Sequence, residues 1–302
     1  MTHRISIILA ALPLLLGTGL GIAYARPSET RFGVLEWRGY PEQYLWRIEW
    51  EPVAVVRDGI WLAPGDRRDA AIDTVFAPEG MGAFIPDGWD ASFWACDTFE
   101  VAVGRWKPGS LPVDLGLEDP IPGTTVAAWA RWPLEDPAQV WHGPGRPQDL
   151  AGALSGLTRD ARAQIEKELP PGLEIDPDVP LARENLRLAR GLEPETLELV
   201  GRMQGAVRLK GGGASSGVVL HFWISARAGE RRFRFALLDL PRAGAARLAR
   251  RLIGVLESPE SGKPLAVLRE EAERGRRTVV LELLSSGSFR PIFESAWTGC
   301  GP

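Results

Sequence analysis

Between residues 218 and 240 the hydrophobic and polar positions set their own register, because two alternating runs meet at Arg227, Ala228, Gly229 and Glu230. Folded back there as an antiparallel pair, the chain places Ile224 opposite Phe233, Phe222 opposite Phe235 and Leu220 opposite Leu237 on one face, which reads as a core face. The other face pairs Ser225 with Arg232 and Trp223 with Arg234, a partly exposed cation–π arrangement, and Arg227 meets Glu230 at the turn.

The same alternation predicts strands over 32–38 and through Tyr44, Trp46, Ile48 and Trp50. Residues 53–57 and 60–62 flank Asp58-Gly59, a dipeptide that supplies the positive φ angles of a type I′ hairpin. Gly, Pro and Asp punctuate 63–90 apart from a short apolar piece at 72–76, so ordered loops are expected there. Strands are expected again at 98–106 and 124–132, with proline-rich connections at 108–122 and 133–147.

At about Gln148 the character changes. Residues 150–157, 159–169, 181–190 and 194–203 have the composition of short helices, and Pro170-Pro171-Gly172 separates two of them. Asp178 can cap the third, with Pro180 in its first turn and Gly191 just past its end. From Gln204 the pattern runs strand, Gly-rich turn and the 218–240 hairpin. A helix over 241–257 follows, with a stripe of Ala245, Leu248, Leu252, Ile253 and Leu256 and with Arg247, Arg250 and Arg251 opposite. A second helix at 265–274 and strands at 277–284 and 289–297 complete the chain. The expected class is α+β: mainly antiparallel sheet, with a β region over 26–147, a helical connector over 148–201 and a β-β-β-α-α-β-β region over 202–302.

Composition refines this picture. The 302 residues are 45% hydrophobic and 25% charged, which suits a packed core and argues against disorder. The net charge of −4 conceals an asymmetry. Residues 26–147 carry 11 basic against 19 acidic side chains, 148–201 carry 6 against 11, and 202–302 carry 17 against 9. Ten of the twelve tryptophans lie between Trp37 and Trp141. An acidic, Trp-rich front and a basic back describe two units that attract one another. The basic face of the 241–257 helix reads as solvated, or as a surface for anionic lipid, polysaccharide or an acidic partner.

The amino terminus bears on the compartment. Arg4 precedes an apolar run from Ile5 to Leu16, then a glycine-containing stretch to Ile22 and Ala23-Tyr24-Ala25, the pattern of a secretory signal peptide cut after Ala25. The rival reading is an uncleaved anchor, since the apolar stretch approaches the ~20 residues that span a bilayer. A periplasmic or secreted protein is expected, with membrane anchoring through this segment as the alternative. In an oxidising compartment the two cysteines, Cys96 and Cys300, are expected to form one disulfide.

Catalytic motifs are scarce. Gly213-Ala214-Ser215-Ser216-Gly217 matches G-x-S-x-G, but a strand follows where a helix is required, and His221 lies inside that strand. His142, beside Gly143-Pro144-Gly145, reads as a loop residue. No zinc spacing is present, and Asp176-Pro177-Asp178 lacks the later ligands of a calcium loop. The strongest cluster is Asp87, Trp89, Asp90 and Trp94, with Asp97 and Glu100 nearby: paired carboxylates can work on a glycosidic bond, and indole faces can stack on sugars. The sequence therefore supports an exported, non-catalytic binding or cell-envelope-associated protein. Its partner would be a glycan, an anionic lipid or an envelope protein; no cofactor, metal or nucleic acid is expected. The alternative is a secreted carbohydrate-active hydrolase using the cluster at 87–100.

Overall fold

The computed structural model describes residues 30–40, 45–65, 75–76, 82–108, 125–130, 147–189, 196–227, 230–240, 248–258 and 261–301. The amino terminus, including Ala23-Tyr24-Ala25, and His142 lie outside these residues.

The first sheet closes on itself. β1 (Thr30–Tyr40) pairs with β2 (Leu45–Arg57) on one side and β7 (Thr125–Ala130) on the other. From β7 the ring continues through β4 (Val75–Phe76), β5 (Gly82–Trp94) and β6 (Asp97–Pro108) back to β2. All six pairings are antiparallel, giving a six-stranded barrel, and β3 (Ile60–Leu62) adds to β2 as a further strand. The β2–β3 turn has Asp58 at φ 50° and Gly59 at φ 76°, the pair of positive angles that the Asp-Gly dipeptide predicts.

Leu35, Trp37, Ile48, Trp50, Phe84, Trp89, Ala102 and Trp106 pack together on the inward face of the ring. Eight strands make a barrel just wide enough for side chains to fill, so six strands around four indoles enclose a packed core. Glycine makes the closure possible at two points. A Cβ on Gly33 would lie 2.5 Å from the Trp50 indole, and one on Gly104 would lie 2.1 Å from the Ile85 carbonyl oxygen. Gly33 faces a bulge in β2 at Val53, and Gly104 faces another in β5 between Pro86 and Gly88. Bulges of this kind bend a strand around a tight barrel.

Two helices and two more sheets follow. α1 (Pro147–Leu154) and α2 (Leu157–Glu168) bury Ala153, Leu157, Ala161 and Ile165 against the middle sheet. That sheet contains β8 (Leu173–Ile175), β9 (Ala182–Ala189), β10 (Leu197–Leu209), β11 (Ser216–Arg227) and β12 (Glu230–Asp239). The third contains β13 (Ala249–Glu257), β14 (Pro264–Glu271), β15 (Gly275–Leu283), β16 (Phe289–Glu294) and β17 (Thr298–Gly299). One of its faces meets Val200 and Trp223 of the middle sheet, and the other meets Phe32, Val34, Val53 and Ala54 of the barrel. The layers therefore run helices, middle sheet, third sheet, barrel.

Mainly antiparallel β-sheet is the observed class, and the α+β label with its carboxy-terminal β-β-β-α-α-β-β pattern is corrected. Among the described residues only α1 and α2 are helices, matching the first two of the four expected in the connector. The segments read as helices at 181–190 and 194–203 are β9 and the start of β10, and that at 265–274 is largely β14. In the segment read as a helix over 241–257, residues 249–257 are β13 and 241–247 lie outside the described residues. The physical reason is burial on both sides. Leu265 and Val267 face the barrel while Ala266 and Leu268 face the middle sheet, so the strand has no polar face and shows no period of two. A bulge in β13 between Leu252 and Gly254 further breaks any alternation. The stretch expected to be loop up to Asp90 also holds most of β5, whose Pro86 and Gly88 mark the bulge and not a strand end.

The 218–240 hairpin follows its expected register from Arg227↔Glu230 to Ile224↔Phe233. Beyond that point a bulge sets Trp223 opposite Phe235 and Phe222 opposite Ala236. The face expected to be partly wet is covered by the third sheet: Trp223 is 0% exposed and its ring meets that of Phe289 at 6.1 Å. Its Nε1 donates to Glu198 at 2.7 Å in the interior.

Candidate functional site

The acidic, Trp-flanked cluster lies on the β5–β6 hairpin, whose strands pair from Gly82↔Pro108 to Trp94↔Asp97. Alternation along β5 separates its members. Trp89 points into the barrel, whereas Asp90 and Trp94 lie on the outward face, where Trp94 meets Arg276 of the third sheet. Asp87 sits in the bulge and is exposed, with Arg105 Nε 3.2 Å from its carboxylate. The structure thus brings Asp90 and Trp94 to one face and places Trp89 on the other.

On that outward face every carboxylate for which a contact is described meets a donor. Asp90 Oδ2 accepts from Arg47 at 2.7 Å and its Oδ1 from the Ala91 N–H at 2.7 Å. The Ala91 N–H first, then the Arg47 charge, hold the Asp90 carboxyl below the usual range. Glu49 is buried, accepts from Ser92 Oγ at 2.8 Å and pairs with Arg38 and Arg47 at 3.2 and 2.9 Å. Asp97 Oδ2 accepts from the Gly299 N–H at 3.2 Å.

The pairs continue into the interface with the third sheet. Glu51 Oε2 accepts from Arg269 Nη2 and Arg276 Nη2, both at 3.0 Å, and Arg276 Nη1 reaches Glu36 at 3.0 Å. Arg269 also donates to Thr278 at 3.0 Å, and Thr298 Oγ1 approaches Glu51 at 3.4 Å. The Arg276 guanidinium lies 4.6 Å from the Trp94 ring centroid and 5.0 Å from that of Phe99, so the two rings face a desolvated cation. Burial pulls Arg276 below its usual range, reinforced by Arg269 and opposed by Glu51 and Glu36. Burial alone would raise Glu36, but the charges of Arg276, Arg38 and Arg269 outweigh it and hold that carboxyl low. Four arginines (38, 47, 269, 276) thus meet four carboxylates (Glu36, Glu49, Glu51, Asp90) in a network of no net charge.

The expected disulfide closes the edge of this network. Cys96 and Cys300 are joined, with α-carbons 5.8 Å apart, and both are exposed. Backbone bonds brace the carboxy-terminal tail beside it: Cys300 N donates to the Arg274 carbonyl at 2.7 Å, and β17 pairs with the start of β15. A cross-link over a sequence separation of 204 restricts the unfolded chain strongly. Cys300→Ser is expected to lower the unfolding free energy by about 2–4 kcal/mol in urea titrations. Thiol titration of the oxidised, denatured wild type should find no free thiol.

The remaining candidates are structural in their surroundings. Gly211, Gly212 and Gly213 all have positive φ in the β10–β11 connection, and β11 begins at Ser216, so the G-x-S-x-G stretch forms no strand-to-helix elbow. Ser215 Oγ donates to Asp176, which also accepts from the Asp178 N–H at 2.9 Å. The Ser215 bond, then the Asp178 bond, hold Asp176 below the usual range. Asp178 caps no helix, because a strand follows it, and it pairs with Arg208 at 3.2 Å. His221 is buried in β11 across from Arg202 and Leu237. Among the described residues no group of three or more His, Cys, Asp or Glu side chains could hold a metal ion.

Sequence reasoning missed Arg269 and Arg276. The available signal was the opposite charge of the front and back of the chain, since the partners are 225 and 218 residues apart along it. No family model matches this chain, and no match is found among the curated proteins or the solved structures.

Proposed function

We propose that this is an exported, non-catalytic protein of the cell envelope that works by binding outside the cytoplasm, with a glycan, an anionic lipid or an envelope protein as its partner. The observation that carries this reading is the condition of the acidic cluster. A glycosidase needs one carboxyl held protonated as general acid, with its pKa raised, opposite a second carboxylate. Asp90 is shifted the other way, by Arg47 and a backbone N–H, and its indole neighbour Trp89 points away from it into the barrel. The Cys96–Cys300 bond suits an oxidising compartment, and no helix among the described residues is long and apolar enough to cross a membrane.

The oxidised full chain, offered a panel of envelope and plant polysaccharides, is expected to release no reducing ends. Asp87→Asn and Asp90→Asn should leave that result and any glycan retention unchanged. Sugar release by the wild type that Asp90→Asn abolishes would overturn the reading in favour of a hydrolase.

A further inference from the structure

Cys96 and Cys300 are both exposed, so the bond that ties the barrel to the third sheet can be reached by a thiol in the folded protein. Thiol–disulfide exchange needs access for the attacking thiolate, and exposed bonds are accordingly the labile ones. One end of the bond also sits beside strained backbone. Ala95, immediately before Cys96 in the turn that joins Trp94 to Asp97, has φ 54°, a left-handed conformation that is unfavourable for an alanine.

The other end holds a strap. After β16, residues 295–301 run back past the start of β15 to the β5–β6 turn. Their attachments are mainly hydrogen bonds. Ser295 N donates to the Thr278 carbonyl at 2.9 Å and its Oγ accepts from Thr278 N at 3.0 Å. Thr298 Oγ1 approaches Glu51 at 3.4 Å, Gly299 N donates to Asp97 at 3.2 Å and Cys300 N to the Arg274 carbonyl at 2.7 Å. The Trp297 ring lies 5.2 Å from the Arg277 guanidinium carbon. Backbone rests on backbone here: a Cβ on Gly275 would stand 2.6 Å from the Gly301 carbonyl oxygen, and one on Gly299 would stand 2.3 Å from that of Arg274. The seat is shaped for the strap, yet among the described residues no side chain of 295–301 joins the apolar clusters between the sheets. A few such hydrogen bonds do not offset the entropy lost in ordering a segment of this length, so the covalent tie at Cys300 keeps it in place.

We infer that Cys96–Cys300 is a site of thiol–disulfide exchange with a dithiol reductant, and that it latches the 295–301 strap over the edge of the barrel–third sheet interface. A thiolate of the reductant attacks one sulfur, the protein S–S bond breaks, and a mixed disulfide forms. The second thiol of the reductant then displaces the protein sulfur. Two electrons and two protons pass to Cys96 and Cys300, which end as thiols, and the reductant ends as a disulfide. Release of the strap frees Asp97 from Gly299 and Glu51 from Thr298, and uncovers the backbone of Gly275 and Arg276 that β17 pairs. Reoxidation closes it. The latch goes beyond the envelope-binding reading and stands independently of it.

The test treats the oxidised full chain with dithiothreitol at neutral pH without denaturant. Thiol titration follows the bond, and hydrogen–deuterium exchange read by mass spectrometry follows the strap. Both thiols are expected to appear while the protein remains folded. Amides in peptides covering 295–301 should then exchange about tenfold or more faster, with those of β10 and β11 unchanged. Cys300→Ser without reductant should show the same local loss of protection. A bond that resists dithiothreitol until the protein is denatured would overturn the exchange site. Strap protection that survives reduction, or that persists in Cys300→Ser, would overturn the latch. Protection lost equally from β10 and β11 would also overturn it, by making the bond a brace for the whole fold.

Discussion

Glu51→Gln is expected to lower the unfolding free energy by about 3–5 kcal/mol, a large share of the stability of any single domain. Glu51 is buried and shares one oxygen between Arg269 and Arg276, each only 2% exposed. Neutralising it leaves two guanidinium groups facing each other out of water, with Glu36 as the remaining counter-charge to Arg276. Because the site is dry, added salt should recover little of the loss. The pH dependence has a defined sign. Glu36 is held below its usual range, so its contribution is complete above the unfolded value of about 4.3–4.5 and is lost as the pH falls through the lower folded value. Urea unfolding between pH 7 and pH 3 should show the wild type weakening on the acid side of this window. Stability that rises on acidification would mean these carboxylates are protonated in the folded protein.

Trp223→Ala is the second large effect, again about 3–5 kcal/mol from ring volume alone, with more from the lost donor to Glu198. Phe222→Ala should match it, since Phe222 is also fully buried, under the helices. Phe235, only partly buried, should cost less. Trp223→Phe separates the two contributions, because it keeps most of the ring and removes the indole N–H; a loss of about 1–3 kcal/mol is expected from removing this buried donor to Glu198. A Trp223→Ala loss well below that of Phe235→Ala in chemical denaturation would place this face of the middle sheet in water.

These two sites show what could and could not be read from residue order. The hairpin at 218–240 was legible near its turn, where Arg227 and Glu230 fix the pairing, and ceased to be so at Arg234, where a bulge slips the register by one. Alternation reports which residues share a face but not what covers that face. A third sheet packed on Trp223 is information carried by residues 252–289 and not by the hairpin. The β13 and β14 segments misled for the converse reason: strands buried on both sides lose the polar positions that mark a strand. The disulfide was legible because an amino terminus patterned like an export signal and a count of two cysteines leave few alternatives.

Barrel closure was not legible. It depends on Gly33 and Gly104, whose role appears only when Trp50 and Ile85 are seen against them. The acidic cluster was recognised as a group of residue types, yet its chemistry is decided by Arg47, Arg105 and Arg276, which lie elsewhere in the sequence. Asp90 pairs with Arg47, 43 residues before it in the chain, which no local pattern around Asp90 announces. The charge asymmetry between front and back was the one sequence signal that pointed toward these partners, and it named no residue.

The central claim is that the charges of the acidic front hold the barrel on the third sheet. A double-mutant cycle between Glu51 and Arg276, with Glu51→Gln, Arg276→Met and the pair compared by urea unfolding at pH 7, measures this directly. The coupling energy is expected to be about 1.5–3 kcal/mol, with the double variant more stable than the sum of the single losses allows. A coupling within about 0.5 kcal/mol of zero, the value for independent sites, would contradict it.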